Sequence, residues 1–360
     1  MNTNFFKWVL VLFFLSSYFT IGFQISEKQM SLRTVRTILA AFEQAEGVGA
    51  KVRRSIGTMN MRKFNPFLML DDFSVSAPAG FPEHPHLGQE TITLILKGAV
   101  AHEDFTGSKG VLYPGDLQFM TAGKGVVHSE MPVPQPDGSP TVGMQLWVDL
   151  PESLKECKPR YRDLKSYEIP EAVEQDGKLR IKVISGKAYG VESLKDLAYT
   201  PVQYYYYTMK PGATFKQEMP KDFNFFLYVR EGNTLVVNGD TKVEKHHNCF
   251  FNMDGDGITG ENPASSTEDV EFVLVGGKTL NQEVFQYGPF VATSEHRIQQ
   301  AFSDYRSARN GFDNLRTWDS LISGGVTDDM VCGELKGSLD DREKERLAYL
   351  HNKESKKDEL

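Results

Sequence analysis

Along most of this chain, apolar and polar positions alternate with a period of two, the pattern of strands buried on one face. It runs through residues 48–57, 91–96 and Thr141–Asp149, with further strands read over 66–73 and 100–105. Lys97-Gly98 marks a turn, residues 106–110 a loop, and Pro114-Gly115-Asp116 a turn before a strand ending at Thr121. Residues 151–176 are richer in charge and proline and read as a linker. The strand pattern then restarts at 180–184, 202–208, 224–229, Thr234–Val237 and 271–275, with Asn238-Gly239-Asp240 as a tight hairpin turn. Short strands punctuated by Gly and Pro predict antiparallel barrels or sandwiches. Two runs of similar length predict an all-β chain with a duplicated fold: a first domain over 24–150 and a second over 177–290.

Past Gly288-Pro289-Phe290 the period lengthens. Ile298, Ala301, Phe302, Tyr305 and Ala308 fall on one helical face, with Ser294 as cap and Asn310-Gly311 as stop. This predicts a helical segment over 291–320. Residues 321–360 read as a polar tail, in which Ser338 caps a solvated helix or the chain is partly disordered.

The bulk numbers exclude several classes. A chain of 360 residues fits two domains. A net charge of −8 offers no basic footprint for direct nucleic-acid binding. The three cysteines, Cys157, Cys249 and Cys332, lack paired spacing, so neither a disulfide scaffold nor a cysteine metal site is expected.

Both ends carry address-like segments. Lys7 precedes an apolar run over 8–23, which reads as a secretory signal peptide cleaved after Gly22; a retained anchor is the alternative. The last four residues, Lys357-Asp358-Glu359-Leu360, match the tetrapeptide of endoplasmic-reticulum retrieval. Together they predict a protein of the endoplasmic-reticulum lumen, retrieved by a KDEL receptor and without a stable membrane anchor after cleavage.

The candidate chemistry lies between Gly80 and Glu130. His84 and His86 stand at i, i+2, and so do His128 and Glu130. Such pairs share one face of a strand. Three imidazoles and a carboxylate suit a divalent first-row metal such as iron and leave two of six octahedral positions open. Glu90 also has strand parity for ligation. His102 and Asp104 share a face and are assigned surface or supporting roles. The stretch Asn252-Met253-Asp254-Gly255-Asp256-Gly257 has the start of a calcium loop, but Pro263 stands where the closing Glu belongs, so a turn is expected. Tyr204 to Tyr207 read as packing, with alternate rings toward core and solvent. His246 and His247 are adjacent and diverge on a strand, so the second domain is expected to lack a metal.

These residues resemble the pirin family, a branch of the cupins. The resemblance rests on GVGAKVRRSIG, FPEHPH, AHEDF, PGDLQ, MTAGKGVVHSEMP, QLWV, VISG and YGPFV, in order from about residue 46 to 320. It implies two cupin barrels (a bicupin) with one Fe2+, or another divalent metal, in the first. Carried over, the ligands are His84, His86, His128 and Glu130, with Glu130 preferred to Glu90. Where the family commonly reads HPHRGFET, this chain reads HPHLGQET, with Leu87 and Gln89. The resemblance further implies a quercetin 2,3-dioxygenase that cleaves a flavonol with O2, Glu130 serving as general base. The alternative is a non-catalytic iron or redox-sensing module of the transcription co-regulator kind.

Overall fold

The computed structural model describes residues 30–47 and 49–358. The expected signal segment, 1–23, and the last two residues of the retrieval tetrapeptide lie outside this range.

Two antiparallel β-barrels follow one plan, a seven-stranded sheet facing a four-stranded one. In the first, the large sheet runs Arg160–Leu164, Leu117–Thr121, Gln89–Lys97, Thr141–Asp149, Phe67–Val75, Ala50–Ile56, Glu43–Glu46. Its small sheet runs Phe81–His86, Val126–Pro132, Val100–Asp104, Lys109–Leu112. In the second, the large sheet runs Val35–Ala40, His247–Phe251, Phe223–Glu231, Val270–Lys278, Val202–Met209, Leu179–Ser185, Glu171–Glu174. Thr214–Glu218, Gly257–Glu261, Thr234–Val237 and Thr241–Glu244 close it.

The large sheets share a core. Ile92, Leu94, Leu146 and Val148 of the first pack in one cluster with Tyr204, Tyr206, Phe226 and Val275 of the second. Tyr205 and Tyr207 point the other way, into the second barrel. All four tyrosines are therefore buried. The expectation that alternate rings meet solvent is corrected: the strand has a core on both faces, because the other barrel covers its outer side.

Three further boundaries differ from expectation. Residues 24–41 were assigned to the first domain, yet Val35–Ala40 pairs with His247–Phe251 of the second. Arg33 anchors this arm: fully buried, it donates to the carbonyls of Gly255, Phe223 and Pro220. The calcium-loop-like turn serves the arm as well, since Asp254 accepts from Thr34 N and Oγ1.

The linker expected over 151–176 is built into both barrels. Arg160–Leu164 is an edge strand of the first large sheet and Glu171–Glu174 of the second. Edge strands carry charge that discourages further pairing, which is why their composition resembles a linker.

Residues 321–337 do not form a free tail. Ile322, Val326, Val331 and Leu335 are buried against Ala99, Ala101, Val111 and Met131 of the first barrel. The helix Leu339–Asp358 follows. Single apolar residues spaced among polar ones left this segment without a periodic signal. The helix Glu295–Arg306, capped by Ser294 Oγ accepting from Arg297 N, lies where the helical period placed it.

Candidate metal centre

The two histidine strands are hydrogen-bonded neighbours. Phe81–His86 pairs with Val126–Pro132, setting His84 opposite His128 and His86 opposite Val126. A register shift follows His128, so Glu130 stands opposite Phe81. One nitrogen of each of His84, His86 and His128 lies within 4.8 Å of the others. His84 Nε2 and His128 Nε2 face each other at 2.9 Å, and Glu130 Oε2 is 3.8 Å from His128 Nε2.

The geometry makes His84 available as a ligand as it stands. His84 Nδ1 donates to the Pro82 carbonyl at 2.8 Å, which leaves the Nε2 lone pair free. His86 Nδ1 is 2.8 Å from Gln89 Nε2, and His86 Nε2 is buried without a hydrogen-bond partner among the described residues. A buried imidazole nitrogen with no partner is costly, and a cation between the three rings would satisfy it once the ring proton sits on Nδ1. Burial, reinforced by the neighbouring His128, lowers the His84 pKa to about 4. Burial and the nearby His102 take His128 to about 3. Burial also pushes His86 well below the ordinary range. All three rings are therefore neutral at pH 7, the form that binds a metal. The residues fit a divalent first-row ion.

Glu130 is buried beside this cluster. Gln145 Nε2 donates to both of its oxygens, at 3.3 and 3.1 Å. Gln145 Oε1 in turn accepts from Trp147 Nε1 at 2.8 Å.

Glu90 faces elsewhere. The chain breaks strand geometry at Leu87-Gly88, where Gly88 has φ +72°, and the parity linking His86 to Glu90 is lost. Glu90 accepts from Thr121 Oγ1 at 2.7 Å and from Tyr199 N and Thr200 N at 3.0 Å each. It ties the first barrel to the segment that leads into Val202–Met209 of the second, and burial raises its pKa.

His102 and Asp104 are buried rather than on the surface. His102 Nε2 meets Asp163 Oδ2 at 2.9 Å, and Asp104 accepts from Thr106 N and Ser108 N. Sequence reasoning missed Gln145 and Trp147, and had Gln89 only as a departure from the family's pattern. The i, i+2 spacing of Gln145 and Trp147 in Thr141–Asp149 was the available signal, but neither residue type announces a metal.

The cluster borders a cavity of about 710 Å³ whose walls include Met69, Phe73, Phe81, His84, Glu130, Trp147 and Pro289. Pro289 comes from the segment after the second barrel. That segment docks on the histidine loop through Leu87 N to Pro289 O at 3.2 Å and Val291 N to Leu87 O at 2.9 Å.

The pirin domain matches residues 49–148, and the pirin C-terminal cupin domain matches residues 204–311. The chain is 44% identical over 287 residues to the pirin-like protein of Solanum lycopersicum, covering 79% of this chain and 95% of that one. It is 42% identical over 295 residues to pirin of Homo sapiens, covering 81% and 99%. Among solved structures, quercetin 2,3-dioxygenase from Acinetobacter baumannii is similar with a TM-score of 0.71 at 26% identity, covering 77% of this chain and 98% of that one. Both barrels are matched in order, the histidine strands fall inside the first, and the identity extends over nearly the whole length of the relatives: the chain belongs to the pirin family.

Proposed function

We propose that this pirin is an iron-dependent dioxygenase of the quercetin 2,3-dioxygenase kind, which takes up one O2 per flavonol and releases one carbon monoxide. The observation that carries this reading is the convergence of three neutral imidazoles, with the Glu130 carboxylate beside them, next to a largely apolar cavity that His84 and Glu130 line. The likeness to an Acinetobacter baumannii quercetin 2,3-dioxygenase supports the substrate class.

In this reading His84, His86, His128 and Glu130 hold Fe2+, which supplies Lewis acidity and a template for substrate and oxygen. Glu130 takes the proton of the flavonol 3-hydroxyl as general base. Gln145 keeps Glu130 aimed by donating to its oxygens. Phe73, Phe81 and Trp147 pack the flat rings and exclude water.

Oxygen uptake by protein loaded anaerobically with ferrous iron, with and without quercetin, tests it. Quercetin-dependent uptake, lost in Glu130→Ala, is the expected result. No uptake from protein holding one iron per chain would defeat the dioxygenase reading and leave a non-catalytic iron or redox-sensing role.

The same proposal places the protein in the lumen of the endoplasmic reticulum. The apolar run over 8–23 and the terminal Lys357-Asp358-Glu359-Leu360 support it. Deleting the last four residues should send the protein into the medium; cytosolic fractionation of the intact chain would refute the assignment.

A further inference from the structure

Gln89 has conflicting obligations. It is fully buried. Its Nε2 donates to the Pro289 carbonyl at 3.0 Å and faces His86 Nδ1 at 2.8 Å. Its Oε1 is buried without a partner among the described residues. An amide nitrogen only donates, so in this arrangement His86 Nδ1 accepts and the ring proton sits on Nε2. A ring protonated on Nε2 has no lone pair there for a metal.

Ligation through Nε2 requires the proton on Nδ1 and an acceptor opposite it. The unpartnered Oε1 is that acceptor, reached by half a turn of the carboxamide. The turn takes the donor away from Pro289 and sets two oxygens against each other. Leu87 N still holds Pro289 O, at 3.2 Å. Pro289 must then draw back, and Pro289 lines the cavity.

The loop carrying Gln89 cannot absorb this change. Gly88 N donates to Gly123 O at 2.7 Å, Lys155 Nζ donates to Gly88 O at 2.9 Å, and Ala122 N donates to Gln89 O at 2.9 Å. Motion therefore falls on the segment 285–292.

We propose that Gln89 is a positioning residue that couples metal loading at His86 to the seating of residues 285–292, the wall that the second half of the chain contributes to the cavity. The coupling is reciprocal: whatever displaces Pro289 frees Gln89 to orient His86 for the metal. This inference rests on the histidines as metal ligands and not on the dioxygenase reading.

The test uses nickel(II), a redox-inert ion suited to imidazole, with the full chain. Affinity is read by competition with a chromophoric chelator, and segment 285–292 by hydrogen–deuterium exchange. In the wild type, loading should speed exchange at Val291 several-fold. Gln89→Leu removes both functions, so exchange should be fast with or without nickel and affinity should fall about tenfold. Gln89→Glu offers a permanent acceptor to Nδ1–H, so nickel should bind more tightly than in the wild type while the segment stays loose, an opposite change in affinity that misfolding cannot mimic. Unchanged exchange in nickel-loaded wild type, or wild-type affinity in Gln89→Leu, overturns the coupling. Failure of nickel to bind the wild type at all overturns the histidine reading and the coupling with it.

Discussion

Asp116 and Arg342, 226 residues apart in the chain, form a two-pronged ion pair in which Arg342 Nη1 donates to Asp116 Oδ2 at 2.8 Å and Nη2 donates to Oδ1. Asp116 is fully buried in the turn after Lys109–Leu112, where it also accepts from Tyr113 N and Ser166 N. The Arg342 guanidinium lies 5.3 Å from the Tyr113 ring centre. The pair pins the start of the C-terminal helix to the first barrel. Removing one partner of a buried pair leaves the other charge uncompensated, a loss of about 3 kcal/mol. Arg342→Ala should lower unfolding free energy in urea by that order and speed amide exchange across residues 339–345. Unchanged exchange there would show that the helix is held by other contacts.

Leu335, 2% exposed, belongs to the same attachment. Leu335→Ala should cost about 3 kcal/mol, the ordinary result of emptying a buried leucine site. A loss well under 1 kcal/mol in chemical denaturation would mean that the segment over Ala99, Val111 and Met131 is only loosely seated.

Gln145 should matter to metal binding without touching the metal. Gln145→Leu strips Glu130 of its donors and leaves Trp147 Nε1 without its acceptor. Nickel affinity, measured by chelator competition, should fall about tenfold, as for other residues that orient ligands. Wild-type affinity would show that Glu130 needs no aiming by Gln145.

The metal-free histidine cluster sets a pH dependence. In the folded chain His84 titrates near 4 and His128 near 3, against about 6.5 when unfolded. Below pH 6.5 the unfolded imidazoles gain protons that the folded ones refuse. Their contribution to stability is whole above 6.5 and is lost as pH falls toward 4 and then 3. Buried carboxylates with raised pKa, such as Glu90, act in the opposite sense. The expected signature is therefore a difference: metal-free wild type should lose stability relative to His84→Gln/His128→Gln as pH drops from 6.5 to 4. Parallel melting curves for the two proteins would refute it.

Gly88 admits no side chain. A Cβ there would lie 1.9 Å from the Val291 carbonyl oxygen, at φ +72°. Gly88→Ala should weaken the bond from Val291 N to Leu87 O and cost about 1–3 kcal/mol. Faster exchange at Val291 is the check; wild-type exchange together with wild-type stability would contradict the packing.

Much of this was legible in the chain, for reasons that can be named. Thr141–Asp149 alternates so regularly that its observed ends match the pattern. His84, His86 and His128 converge because i, i+2 spacing on two paired strands leaves little freedom. Glu90 shows where such reasoning stops. Its parity with His86 was correct on paper, but the break at Gly88 turned it toward the second barrel, and no local pattern announces that break. The tyrosine run failed for another reason: an alternating strand looks half-exposed until a second barrel covers its outer face. Gln89 was visible only as a departure, the loss of a ring, whereas its hydrogen bond to His86 is a tertiary fact.

The strand Val35–Ala40 completes the second barrel although it precedes every residue of the first. During synthesis it emerges early and then has no partner until His247–Phe251 has been made. The second barrel is therefore not a module that can be cut out by its place in the chain. A fragment beginning near residue 177 would leave the His247–Phe251 edge with unpaired backbone groups, an invitation to intermolecular strand addition. The N-terminal arm acts as a late-closing seam, and the second barrel can close only after translation has passed residue 278, the end of the strand that joins Phe223–Glu231 to Val202–Met209.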